Sequence, residues 1–175
     1  MRILYSTQKL LKELNVSFSD PGEVSSSEGL GNWYANLLRI ERRKCLLFTN
    51  EKSLYSFLVP AVLKENLKHI EQEFLVHLML NLKYEGFGPK VLEKVSAEYR
   101  QIGFSKTASR SVLGSMNDIA YHYEVYIHMD GGIENAKILQ INHKINRMPM
   151  SAIGYKYSIE ALRKVVEETE NNYTH

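Results

Sequence analysis

Hydrophobic and polar positions along the chain change period several times, and each change marks an element. Arg2–Tyr5 is a short apolar run that predicts an opening strand. Behind it, Ser6-Thr-Gln-Lys offers a hydroxyl cap, and Leu10, Leu11 and Leu14 supply the inner edge of a short helix ending near Asn15. Three apolar runs then follow in quick succession: Trp33–Ile40, Lys44–Asn50 and Leu54–Val59. Glu41-Arg42-Arg43 and Glu51-Lys52-Ser53 join them, and both links are of hairpin length, which predicts an antiparallel meander. Cys45-Leu-Leu-Phe is apolar without alternation, as in a central strand covered on both faces. Pro60 lacks the N–H that would continue the third strand.

Beyond residue 64 the period becomes helical. Leu67, Ile70, Phe74, Leu75, Leu78 and Leu82 share one face of a helix predicted over 64–84. Gly86-Phe-Gly-Pro ends it, and 90–99 forms a second helix edged by Val91, Leu92 and Val95. Ile102–Thr107 reads as a further strand. Ser109 or Ser111 caps a long helix reaching Met129, with Val112, Met116, Ile119, Ala120, Tyr123 and Ile127 as its apolar stripe and Gly131-Gly132 as its stop. Residues 134–146 fit two periods: Ile138, Ile141 and Ile145 suit a helix, while Leu139, Ile141, His143 and Ile145 alternate like a strand. The helix is preferred. A last helix, capped by Ser158, spans 159–169. Residues 19–31, rich in Ser, Gly and Pro, are expected to be a mobile loop. Strands come first and helices after, so the fold class is α+β: an N-terminal antiparallel β-meander packed against a mostly helical remainder, in a single domain over residues 1–175.

Composition narrows the picture. The chain has 175 residues, of which 44% are hydrophobic, enough for a substantial core. A formal net charge of +2 is too small to imply a nucleic-acid partner by itself. One cysteine, Cys45, excludes an internal disulfide framework and any multi-cysteine zinc site, and points to a reducing, cytoplasmic setting. No segment reads as a signal peptide or membrane span, so no membrane partner is expected.

Charge is concentrated at Arg39, Glu41, Arg42, Arg43 and Lys44. Arginine pairs two oxygens at once, so this tip suits a phosphate backbone or another anionic ligand. Its plainer reading is a hairpin tip kept wet by its charges. Trp33 could stack a base, but a lone Trp at a strand start is more simply a core anchor. Asn36, inside an apolar strand, needs hydrogen-bond partners and is read as holding a neighbouring loop. Buried Cys45 would be an inert thiol. His69, Glu73 and His77 repeat at helical spacing but run over two turns, too far for one metal ion, and no metal or cofactor is expected. On the long helix, Arg110, Asn117, Tyr121, Glu124 and His128 lie on one side, and Ser115, Asp118 and His122 on another edge. Residues on one helix project in parallel, which argues against a catalytic triad. No Gly-x-Ser-x-Gly elbow or phosphate loop accompanies them.

Several blocks do form a recognisable set: Thr7-Gln-Lys-Leu-Leu11; Trp33-Tyr-Ala-Asn-Leu37 with Arg42-Arg-Lys44 and Leu46-Leu-Phe-Thr-Asn50; Arg110-Ser-Val-Leu-Gly-Ser-Met-Asn-Asp118; and Asn146-Arg-Met-Pro-Met150. With them the chain resembles an uncharacterised family of small bacterial proteins known as a domain of unknown function. The resemblance implies a bacterial, cytoplasmic protein. It singles out Trp33, Asn36, Arg42, Arg43, Arg110, Asn117 and Asp118 as residues of any shared ligand-binding site, with no catalytic residue assigned. The first expectation for function is a non-catalytic binding or interaction module. The alternatives are nucleic-acid or phosphate binding through the Arg39–Lys44 tip, and a hydrolase or nuclease using Asp118, His122 and Arg110.

Overall fold

The computed structural model describes residues 1–19 and 28–172. Its centre is a five-stranded sheet in the order β4-β3-β2-β1-β5, built from β1 (Arg2–Ser6), β2 (Trp33–Ile40), β3 (Arg43–Asn50), β4 (Ser56–Val59) and β5 (Ile102–Lys106). The expected meander is present, since β2–β3 and β3–β4 are antiparallel. The sheet as a whole is mixed, because β1 runs parallel to both β2 and β5. Placing β1 in the interior follows from its sequence: Ile3 and Leu4 are each 1% exposed, so the strand is covered on both faces.

Helices lie on both faces. Leu4, Trp33, Ala35, Leu37, Leu46, Phe48 and Phe57 face α1 (Gln8–Leu11), α2 (Lys64–Lys68), α3 (Ile70–Tyr84), α4 (Pro89–Glu98) and, at the far end of the chain, α7 (Ser158–Asn172). Tyr34, Leu38, Cys45, Leu47 and Leu58 face α5 (Arg110–Met129) and α6 (Ile138–Ile145). A two-stranded ribbon, β6 (Pro149–Met150) with β7 (Lys156–Tyr157), joins α6 to α7. The architecture is α+β, as the segregation of strand and helix patterns predicts. Among the described residues no helix is long and apolar enough to cross a membrane.

The boundaries differ from expectation in several places, the first being α1, which ends at Leu11 rather than near Asn15. The helix predicted over 64–84 breaks at His69, where φ −124° and ψ 41° leave the helical region, giving α2 and α3. The third strand starts at Ser56, because Leu54 takes a left-handed φ of 59° and turns the chain. The segment at 134–146 is helical only from Ile138.

Sheet edges are usually a hazard, because their outer N–H and C=O groups lack partners. Here α6 covers the β4 edge with two asparagines one turn apart. Asn142 Oδ1 accepts from Leu58 N (3.1 Å) and Asn146 Oδ1 from Ser56 N (2.8 Å), while Asn146 Nδ2 donates to Ser56 O (2.7 Å). Along the opposite edge, Ser19 N donates to Phe104 O.

Of the loop expected at 19–31, residues 20–27 lie outside the described residues. The strap that follows is clamped by side chains. Glu98 accepts from Leu30 N and Gly31 N, and Lys52 donates to Gly29 O. Asn50 donates to Leu30 O, Tyr99 to Gly31 O, and Glu51 accepts from Asn32 N. Gly29 takes a left-handed φ of 72°, where a Cβ would run into the Glu98 carboxylate that clamps the strap.

Candidate functional site

The residues singled out by sequence separate into three places. Trp33 is 1% exposed, edge-on to Phe57 and Phe74, and its Nε1 donates to Tyr99 Oη at 2.7 Å. It anchors the core and presents no face to a ligand. Asn36, half-buried on the other side of β2, accepts from Thr7 Oγ1 at 2.8 Å. Thr7 Oγ1 in turn accepts from Leu10 N and caps α1. Asn36 therefore fixes the start of the first helix.

Arg42 and Arg43 belong to the β2–β3 hairpin, whose central residues Glu41 (φ 48°) and Arg42 (φ 67°) both take left-handed conformations. The tip is docked on the loop after α5: Glu41 Oε2 accepts from Ile133 N at 2.9 Å, and Arg43 Nη2 pairs with Glu134 at 3.0 Å. Lys44 pairs with Glu13 at 2.9 Å, which holds that carboxyl below its ordinary pKa. These contacts offset part of the tip's positive charge. Arg39 and Arg42 remain exposed.

Arg110, Asn117 and Asp118 all lie on the exposed side of α5. The tip and Arg110 do not meet in one cleft. Ser109 N, at the start of α5, donates to Tyr34 Oη, whereas the tip meets the loop beyond its other end, and a 20-residue helix is about 30 Å long. Asp118 and His122 occupy successive turns, and their Cα–Cβ bonds point the same way.

The exposed side of α5 carries more than those polar residues. Tyr121, Val125 and Met129, at i, i+4 and i+8, are 65, 38 and 72% exposed. Residues so spaced stack along one helix face. Asp118, Glu124 and Asp130 are exposed beside them. The ridge was hidden in the sequence because its positions fall between those of the buried stripe.

A second concentration of chemistry went unread in the sequence. Glu85 closes α3, and its carboxylate side chain is 1% exposed. Arg147 grips it with two nitrogens, Nη1 to Oε1 (3.2 Å) and Nη2 to Oε2 (2.8 Å). Tyr55 Oη donates to Oε1 at 3.5 Å, and burial pushes that hydroxyl far above its ordinary pKa. His143 Nδ1 lies 3.2 Å from Oε2 yet is buried without a hydrogen-bond partner. Arg163 Nη2 donates to the main-chain O of Glu85 at 3.1 Å, with its guanidinium 5.4 Å over the Phe87 ring. The nearest sequence signal was Arg147, inside the Asn146–Met150 block.

The other candidates resolve into local pairs. His77 pairs with Glu73 (3.5 Å), and His69 with Glu65 (3.7 Å). Burial pulls the His77 imidazole below its ordinary pKa, against the opposing pull of Glu73. Among the described residues no three His, Cys, Asp or Glu side chains gather as metal ligands do. Burial pushes the Cys45 thiol above its ordinary pKa, which disfavours the reactive thiolate.

The model of the family described as Domain of unknown function (DUF6933) matches residues 3–161, so the chain belongs to that family. No curated protein matches it.

Proposed function

We propose that this member of the DUF6933 family is a non-catalytic interaction module. Its docking surface is the outer face of α5, and its partner is a protein offering an apolar groove with a basic rim. One observation carries this reading: the exposed ridge of Tyr121, Val125 and Met129. An apolar ridge rimmed by polar residues is a common mark of a protein-binding surface. The exposed carboxylates of Asp118, Glu124 and Asp130 favour a basic rim on the partner, and Arg110 and Asn117 extend the polar border. A cytoplasmic location accords with the single buried Cys45.

The test places a photo-crosslinking amino acid at Val125 in living cells, with Val76 on α3, 57% exposed, as the reference position. A protein adduct specific to Val125, lost in the Tyr121→Ala, Met129→Ala double variant, is expected. The same adducts from both positions would overturn the docking surface. Turnover of a substrate abolished by Asp118→Asn or Arg110→Ala would overturn the non-catalytic reading and favour a hydrolase.

A second reading keeps an anionic ligand or nucleic acid at the hairpin tip, because Arg39 and Arg42 are exposed there. Binding of that kind weakens steeply with salt. The Arg39→Ala, Arg42→Ala variant should flatten the slope, and an affinity indifferent to salt would exclude it.

A further inference from the structure

We propose that Arg147 and Arg163, converging on Glu85 where α3, α6 and α7 meet, form a binding site for a phosphate-type oxyanion. The two guanidiniums meet the same residue from different sides: Arg147 takes the carboxylate, and Arg163 takes the main-chain oxygen. The carboxylate balances one positive charge, so the second is in surplus. Arg163 forms no ion pair among the described residues and is exposed, and of its five N–H donors only one on Nη2 is engaged. Its plane is held over Phe87, so the fork is set before a ligand arrives. A planar, pre-organised fork suits the paired oxygens of a phosphate.

The surroundings fit a ligand larger than a bare ion. Arg147 is 32% exposed, so its guanidinium is reachable from solvent. Tyr84, 46% exposed, meets His143 edge-to-face at 5.7 Å, and together they make an aromatic wall beside the arginines. This site does not depend on the α5 ridge, since none of its residues lies on α5.

Inorganic phosphate titrated at constant ionic strength, followed on the arginine Nε–H signals by NMR, tests the assignment. Saturable shifts at Arg147 and Arg163 are expected. Arg163→Gln should weaken binding about tenfold, the scale of one charge-assisted contact. Arg163→Lys, which keeps the charge and loses the fork, should fall between, and it serves as the folded comparison if the glutamine variant is unstable. Arg100→Gln, at an exposed arginine just beyond α4, should leave the affinity unchanged. Linear, non-saturating shifts, or an equal loss in Arg100→Gln, would overturn the site. Phenyl phosphate distinguishes the sources: tighter binding with shifts at Tyr84 assigns an organic phosphate, and affinity equal to inorganic phosphate assigns the free anion.

Discussion

Arg42 holds a left-handed φ of 67° with a long side chain, a conformation that glycine adopts at no steric cost. Two-residue hairpins favour glycine at this second position for that reason. Glu41, beside it, is equally left-handed, but its carboxylate docks the hairpin by accepting from Ile133 N. The two residues therefore predict opposite outcomes. Arg42→Gly should stabilise the fold by about 0.5–1 kcal/mol, read from urea midpoints. Loss of stability in that variant would show that the Arg42 side chain has a packing role. At this scale the sequence was legible wherever a residue's own chemistry decided its place. Asn36, polar within an apolar strand, needed a partner and has Thr7. Glu85 was illegible, because nothing local distinguishes it from a solvated glutamate: its arginines come from positions 147 and 163.

Between elements, the least readable feature is the asparagine pair on α6. Asn142 and Asn146 directly follow Ile141 and Ile145, and all four are buried. A buried polar residue in a helix announces a partner without naming it. Here the partner is a strand edge 84 to 90 positions earlier. The same pattern explains the ambiguity of 134–146, since a helix that also closes a sheet edge mixes polar and apolar residues on its inner side. Removing Asn146 would strand both Ser56 N–H and Ser56 C=O in the core. Leaving one such group unpaired costs about 1–3 kcal/mol, so Asn146→Ala should lose about 2–4 kcal/mol in chemical denaturation. Asn135→Ala, whose hydrogen bond to Gly131 O is exposed, should change stability by less than about 0.5 kcal/mol. Similar losses in the two variants would mean that α6 does not seal the edge.

Across the molecule, one sheet serves two cores. The α+β class was legible because most of the strand spacing precedes residue 64 and most of the helical spacing follows it. The parallel pairing of β1 with β5 was not, since those strands lie about a hundred positions apart, and the burial of β1 on both faces calls for a neighbour on each side without naming β5. The two helical layers are joined through the sheet and also around its β4 edge. Asn142 Nδ2 on α6 donates to Asn81 Oδ1 on α3 at 2.8 Å, and Arg147 beyond α6 holds Glu85 at the end of α3. Two connections of this kind predict that neither layer unfolds alone. Trp33, the only tryptophan, sits in the core of the α3 face and reports on that layer. Ile119, 2% exposed, sits in the core of the α5 face, where truncation to alanine leaves a cavity. Ile119→Ala should cost about 2–5 kcal/mol. If the cores are coupled, Trp33 fluorescence and helical circular dichroism must shift together to one lower midpoint, although the cavity lies across the sheet from the tryptophan. A Trp33 transition that stays at the wild-type midpoint while part of the helical signal is lost would show that α5 and α6 detach as a separate unit.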